Sequence, residues 1–188
     1  MIANRLAELK DTSELIIDLA YSSLLLKSAH LAEEVQALEE HMDDLHTEFE
    51  RLVLSSGFKP EESKDFLGLI RLGVTTEQIA DAGAEIAEVV LRGLEPHPIL
   101  ALAIEEAEET VVRVQVVPES SLIGKTLRQA QIHEEAGMWI LAIRRDNVWI
   151  RPKPSTVIEA QDVMIASGYA EGEEDFEKLA SNKDEPSL

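Results

Sequence analysis

The chain has 188 residues, and 45% of them are hydrophobic, which is ample for a folded core and excludes global disorder. It contains no cysteine, which excludes disulfide scaffolds and cysteine zinc sites and fits a reducing cytoplasm. The formal net charge is −20, so we expect no nucleic-acid partner, because free DNA or RNA needs a basic surface. No apolar run is long enough to predict direct membrane insertion.

The negative charge is concentrated in the first part of the chain. Residues 1–108 carry 23 acidic and 8 basic side chains, whereas residues 109–188 carry 14 and 9. Between Arg113 and Lys153, seven bases outnumber four acids. An anionic ligand is therefore expected in this basic segment.

Hydrophobic periodicity predicts long helices in the first part. A first helix is expected after a cap at position 11, 12 or 13, with an apolar stripe formed by Leu15, Ile16, Leu19 and Leu26. A seam with alternating spacings of four and three follows, formed by Leu31, Val35, Leu38, Met42, Leu45, Phe49 and Leu52. Such a seam predicts a helix that packs against an antiparallel neighbour or against a second copy.

A further helical region is expected after Pro60, with Gly73 as a potential break. Its expected core face is the stripe of Ile79, Ala82, Ile86 and Val89. A short helix over residues 99–107 would follow. Short loops between these helices predict an antiparallel helical bundle over residues 1–109.

Two acidic pairs lie four residues apart in this bundle, Glu39 with Asp43 and Glu77 with Asp81. That spacing puts both carboxylates of a pair on one helix face. Four carboxylates from two adjacent helices can bind a divalent or ferric ion. The alternative is that they cover a solvated face. Because Glu77 and Asp81 lie roughly opposite the expected core face, the pattern disfavours a buried metal site and allows one at the surface.

The helical part resembles one three-helix half of the PhoU family. The resemblance rests on residues 19–22, 32–35, 38–39, 42–45 and 77–88, and it covers about residues 12–95. PhoU proteins are helical regulators of phosphate transport whose E-x-x-x-D pairs can bind metal clusters. Only one such half is present here, whereas the phosphate regulators carry two.

The remainder predicts a small α/β domain over residues 110–180 and a flexible tail over 181–188. Residues 110–117 alternate as a strand with one buried face. Residues 138–144 and 148–150 read as strands joined by a hairpin turn, and residues 163–166 as a last strand. Short helices are expected from about 124 to 131 and from 171 to 179. The complete fold class is α+β with two domains.

Sequence motifs give no support for an enzyme. Gly124, Lys125 and Thr126 match the end of a phosphate-binding loop, but Glu119 stands where that loop needs its first glycine. No serine, histidine and aspartate occur in a recognisable catalytic order. Gly124 to Thr126 is therefore interpreted as the start of a helix, and we expect a non-enzymatic protein.

The second part closely resembles the TrkA-C (RCK-C) family of potassium channel and transporter regulatory domains. The matching features, in order, are the strand at 114–117, Ser121, Gly124-Lys125-Thr126-Leu127, the strand 140–144, the hairpin 147–150, Pro152, Pro154, Thr156 and the run 162–168. The family usually has glycine before the aspartate of that last run, and this chain has Gln161.

The resemblance implies a homodimer that binds a small ligand between its subunits, which in several relatives is cyclic di-AMP. Basic groups around the hairpin independently favour an anionic ligand, because the guanidinium group of arginine can donate two parallel hydrogen bonds to a phosphate. The expected ligand residues are Arg144, Arg145, Asn147, Arg151 and Lys153. The alternative is a basic hairpin that is merely solvated or pairs with the acidic helices.

The leading hypothesis is a regulatory protein of cation transport, with potassium as the expected cation. It would lie in the cytoplasm, peripheral to a membrane channel or transporter subunit. The alternative hypothesis is a metal-binding signalling adaptor of the PhoU type, with Glu39, Asp43, Glu77 and Asp81 as metal ligands.

Overall fold

The computed structural model describes residues 1–93 and 109–181, in two compact units, Met1–Leu94 and Glu95–Leu188. The first unit is a bundle of three long helices, α1 (Ile2–Leu25), α2 (Ala29–Leu54) and α3 (Ser63–Leu91). The predicted helical bundle is thereby confirmed. The helix expected over residues 99–107 and the tail beyond Ser181 lie outside the described residues, so the domain boundary near 109 stays a prediction.

The apolar seam of α2 fills the core of its own chain. Val35, Met42 and Phe49 have no exposed surface, and Leu31 and Leu45 are 3% exposed. The seam therefore packs within the bundle and needs no second copy. The helix α1 begins well before the expected caps at 11–13; Ser13 is buried inside it and donates to the carbonyl of Lys10 at 2.9 Å.

The helix α3 buries a different face from the one expected. Its buried residues are small: Gly73, Thr76, Ala80, Gly83 and Ala87. A Cβ atom on Gly73 would lie 2.8 Å from Phe49 Cε1, and one on Gly83 would lie 2.6 Å from Ile16 Cγ2. The two glycines thus admit large side chains from α2 and α1, and α3 runs through Gly73 without a break. The prediction that the Ile79–Val89 stripe forms the core face is wrong.

The second unit is built on a four-stranded antiparallel sheet, which confirms the predicted fold class. The strands are β1 (Glu109–Gln115), β2 (Met138–Arg145), β3 (Val148–Ile150) and β4 (Val163–Tyr169), in the order β1-β4-β2-β3. Two short helices, α4 (Leu127–Ala130) and α5 (Ile132–Ala136), precede β2, and α6 (Glu173–Ser181) follows β4.

The core of this unit lies between the sheet and its helices. It contains Val112 and Val114 of β1, Met164 of β4 and Phe176 of α6. The predicted hairpin is confirmed: Asp146 and Asn147 both have positive φ angles, 50° and 64°, as a two-residue turn between antiparallel strands requires. Across residues 1–93 and 109–181, no helix has the length and hydrophobicity of a membrane span.

Candidate ligand groove and acidic cluster

Arg145, at the end of β2, is held by a network inside the second unit. Its Nε and Nη2 donate to the two carboxylate oxygens of Asp162 at 2.8 and 2.7 Å, and Nη2 also donates to the carbonyl of Val157 at 2.7 Å. Nη1 pairs with Glu159. Asp162 is fully buried, and its hydrogen bonds and charge raise the pKa of Arg145. This arginine neutralises a buried carboxylate, so its first role is structural.

The turn before Asp162 explains how the chain tolerates a residue other than glycine there. Gln161 has a φ of 70°, in the left-handed region that glycine adopts most easily. Its backbone N–H donates to the carbonyl of Val116 at 2.8 Å, and its side-chain oxygen accepts from Gln115 Nε2 at 3.0 Å. These bonds hold the turn against the end of β1.

The five expected ligand residues lie on and just after the β2–β3 hairpin, and their role in binding a ligand stays a prediction. Arg144 and Arg145 are consecutive on β2 and therefore point to opposite sides of the sheet. The Arg144 guanidinium lies 5.7 Å from the ring centroid of Trp149, Asn147 is exposed in the hairpin turn, and Arg151 is half-buried. Lys153 is the one member of the set that lines the groove described next.

A groove of about 320 Å³ opens beside the start of β2. Its walls are α4, α5, the first three residues of β2 and the segment 152–154. Backbone hydrogen bonds fix α4 against the last of these walls: Leu127 N–H donates to the Thr156 carbonyl at 2.9 Å, and Arg128 N–H to the Pro154 carbonyl at 3.1 Å. The groove is therefore shaped by main-chain contacts.

The most prominent group in the groove is an aromatic stack. The rings of His133 and Trp139 lie 3.8 Å apart between centroids, with an interplanar angle of 25°, and Trp139 is 59% exposed. Arg128 and Lys153 line the same groove, together with one carboxylate, that of Glu134. An open indole with two nearby cations can hold a planar ring and an attached anion.

Sequence reasoning missed Arg128, His133 and Trp139. Trp139 follows the buried Met138 on a strand, so alternation alone places it on the other side of the sheet. His133 lies on α5, which was not predicted. Gln131, with a φ of 47°, ends α4 and separates it from α5, and a left-handed glutamine is not readable from the sequence.

The Gly124–Thr126 segment starts a helix, as expected. Thr126 caps α4 by accepting from the Gln129 N–H at 3.2 Å. The Gly124 N–H donates to the Ile158 carbonyl at 2.9 Å, so it is used within the fold. Ahead of this segment, Ser120 is buried and donates to the Leu179 carbonyl at 2.9 Å, whereas Ser121 is exposed.

The acidic pairs of the first unit lie close enough to influence one another. Burial first, and then the charges of Asp43 and Asp81, raise the pKa of Glu39. Burial and the charge of Asp81 likewise raise the pKa of Glu77, while His46 opposes this. Within the two described ranges, however, no three metal-binding side chains converge on a common point. The predicted metal site of Glu39, Asp43, Glu77 and Asp81 is not supported.

Comparison with family models accounts for both units. The model of the PhoU domain matches residues 6–90, and that of the TrkA-C domain matches residues 111–181. The chain joins a PhoU domain to a TrkA-C domain. Both families consist of regulatory domains rather than enzymes. The four-stranded unit is hereafter called the TrkA-C domain, and the three-helix unit the PhoU domain.

Similar proteins include transport subunits and regulators. The ammonium/H⁺ antiporter subunit AmhM of Alkalihalophilus pseudofirmus is 22% identical over 114 residues, 60% of this chain and 68% of that protein. The RCK C domain of the potassium transport protein KtrA, solved with cyclic di-AMP, is 24% identical, covers 43% of this chain and 94% of its own, and has a TM-score of 0.36.

The protein BusR of S. agalactiae matches in two different complexes. Its RCK_C domain dimer with cyclic di-AMP is 23% identical, covers 37% of this chain and 92% of that chain, and has a TM-score of 0.35. BusR with its busAB promoter DNA is 19% identical, covers 53% and 64%, and has a TM-score of 0.36. That this chain has no nucleic-acid partner stays a prediction from its net charge of −20.

Proposed function

We propose that this protein is a non-enzymatic regulator of cation transport whose TrkA-C domain binds a small anionic nucleotide. The observation that carries the proposal is the exposed Trp139–His133 stack beside Arg128 and Lys153. The AmhM antiporter subunit and the KtrA potassium transport protein support a transport setting. Cyclic di-AMP, present in the KtrA and BusR structures, is the first ligand to test.

The proposed binding mode uses each group of the groove for one part of the ligand. A purine base stacks on the open face of Trp139, and the adjacent phosphate pairs with Arg128 and Lys153. Of the five ligand residues expected from sequence, the proposal retains Lys153 and assigns Arg145 a structural role. Additional contacts from Arg144, Asn147 and Arg151 remain predictions.

The size of the groove favours a homodimer. At about 320 Å³ it is at the lower end of small-molecule sites, which suits one nucleotide better than a cyclic dinucleotide. Cyclic di-AMP has two equivalent halves, and a two-fold dimer offers two equivalent grooves. Each subunit would then hold one adenine and one phosphate.

Ligand binding would act by shifting the population of two conformations. A ligand shared between subunits favours whichever dimer arrangement brings the grooves together. The PhoU domain would pass this change to a membrane channel or transporter subunit. The cysteine-free composition agrees with a cytoplasmic location peripheral to such a partner.

Isothermal titration with cyclic di-AMP, ATP and AMP tests this function. We expect cyclic di-AMP to bind, and Trp139→Ala to weaken it by about tenfold or more, because base–aromatic stacking contributes about 1–3 kcal/mol. Arg113→Ala serves as the control, since Arg113 is an exposed base on β1 and outside the groove. No heat with any of the three nucleotides on a folded protein would contradict the nucleotide hypothesis.

A further inference from the structure

The imidazole of His133 is held by stacking rather than by hydrogen bonds. Its ring lies 3.8 Å from that of Trp139 between centroids, and the residue is exposed on α5. In the part of the chain that the structure describes, neither of its ring nitrogens has a hydrogen-bond partner. Both nitrogens are therefore available to a molecule that enters the groove.

The charged groups around His133 come from three walls of the groove. Arg128 of α4 and Lys153 are positive, and Glu134 of α5 is negative. The first three residues of β2 add no titratable side chain. Two bases and one acid leave the groove with one net positive charge when His133 is neutral, and with two when it is protonated.

The other neighbours of His133 leave this balance unchanged. Helix α6, whose buried side chains are Phe176 and Ala180, packs on α5, but none of its charged side chains lines the groove. Glu135, the second acid of α5, is exposed and also lies outside the groove lining. Among the described residues that line the groove, His133 is thus the one histidine, the residue type that ordinarily titrates near neutral pH.

We propose that His133 makes nucleotide binding by the TrkA-C domain dependent on pH. An imidazolium beside Trp139 adds a positive charge and a second N–H donor close to the phosphate that Arg128 and Lys153 bind. The anionic ligand is then bound more tightly as the pH falls. This inference rests on the proposed function, because it concerns the same groove.

The stack with Trp139 is favourable in both protonation states of His133. A neutral imidazole and an indole attract one another as aromatic rings, and an imidazolium over an indole face forms a cation–π pair. Protonation therefore changes the charge of the groove without removing the ring on which a base stacks. Ligand and proton favour one another's binding, so linkage requires ligand binding to take up protons near neutral pH.

Isothermal titration of the full chain with cyclic di-AMP near pH 6 and near pH 8 tests the proposal. The phosphodiesters of this ligand keep a constant charge over the range, whereas a terminal phosphate such as that of AMP titrates near pH 6. We expect the dissociation constant to be about three- to tenfold lower near pH 6, which is the effect of one partly exposed charge pair. Titrations in two buffers with different ionisation enthalpies should also show uptake of a fraction of a proton per groove.

Two kinds of variant separate the charge of His133 from its stacking. His133→Phe retains an aromatic ring for Trp139 but cannot be protonated, so it should bind cyclic di-AMP equally at both pH values and take up no proton. His133→Gln, which is polar and uncharged, should also bind without pH dependence. The matched control is His41→Gln, which changes an exposed histidine of the PhoU domain and should leave the pH dependence as in the wild type.

The outcomes distinguish this inference from the proposed function. Equal dissociation constants at both pH values, without proton uptake, would overturn the role of His133 and leave nucleotide binding established. A pH dependence that persists in both His133 variants would place the titrating group elsewhere and would likewise overturn it. Absence of binding at either pH would contradict the proposed function and, with it, this inference.

Discussion

At the scale of single residues, the buried carboxylate of Asp162 depends on one arginine. Asp162 has no exposed surface, and Arg145 supplies two of its hydrogen bonds and its compensating charge. Removing one partner of a buried pair leaves an uncompensated charge, which costs about 3–5 kcal/mol when both partners are fully buried.

We expect Arg145→Met to destabilise the TrkA-C domain by about 2–3 kcal/mol. This loss is smaller than the roughly 3–5 kcal/mol expected for a fully buried pair, because the Arg145 side chain is 23% exposed. Urea unfolding followed by circular dichroism measures the change. Glu159→Gln is the control, because Glu159 is the exposed end of the network and should cost less than about 1 kcal/mol. A stable Arg145→Met protein would show that Asp162 finds another partner.

The carboxylates of Glu39 and Glu77 predict a pH dependence of the PhoU domain. Their pKa values are raised above the ordinary 4.5, first by burial and then by neighbouring acids. Because the folded state holds these protons more tightly, their contribution to stability is fully present below about pH 4.5 and is lost as pH rises through the raised pKa values.

Replacing these carboxylates with amides should therefore stabilise the PhoU domain at neutral pH. We expect Glu39→Gln/Glu77→Gln to gain about 0.5 kcal/mol near pH 7 and to show a smaller fall in stability between pH 5 and 7 than the wild type. Urea unfolding at a series of pH values measures both. Glu61→Gln, in an exposed turn, is the matched control. A wild type that is more stable near pH 7 than its double variant would refute the mechanism.

At the scale of secondary-structure elements, the close packing of α3 depends on its glycines. Gly83 faces the fully buried Ile16, so the Cβ atom of alanine has no free space. Gly68, on the same helix, has nothing within 4 Å of an added Cβ. The two positions separate steric fit from helix propensity.

We expect Gly83→Ala and Gly68→Ala to change stability in opposite directions. Alanine in place of glycine favours a helix by about 1 kcal/mol, and Gly68→Ala should gain up to that amount. At Gly83 the overpacking cost of about 1–3 kcal/mol exceeds the gain, so a net loss of about 1 kcal/mol is expected. Thermal unfolding measures both. Equal stabilisation by both changes would mean that α1 shifts to accommodate the added methyl group.

The heptad of α2 and the hairpin of the TrkA-C domain were predictable because local spacing and turn chemistry determine them. The inward face of α3 was not. Periodicity locates an apolar stripe, but it does not reveal that small residues such as Gly83 allow closer packing than Ile79 and so take the core side. The groove depends on the left-handed conformation of Gln131, which brings α5 beside β2. No local sequence pattern predicts that conformation.

At the scale of the whole molecule, the two units have separate cores and should unfold separately. We expect two calorimetric transitions. Cyclic di-AMP should raise the midpoint temperature of only the transition that belongs to the TrkA-C domain. At a ligand concentration 100 times the dissociation constant, the gain is about 2.7 kcal/mol. Trp139→Ala, which weakens binding about tenfold or more, should lower this stabilisation to about 1.4 kcal/mol or less at the same ligand concentration while leaving both transitions. A single transition, or an equal shift of both, would contradict independent units.

The placement of the two tryptophans makes the TrkA-C domain optically distinct from the rest of the chain. Trp139 is 59% exposed and Trp149 is 9% exposed, and the chain has no others. Intrinsic indole emission therefore reports on the TrkA-C domain alone. Acrylamide should quench Trp139 far more than Trp149, so a molecule that enters the groove will protect half of the emitters. The protein thus carries its own label for occupancy, without added dyes.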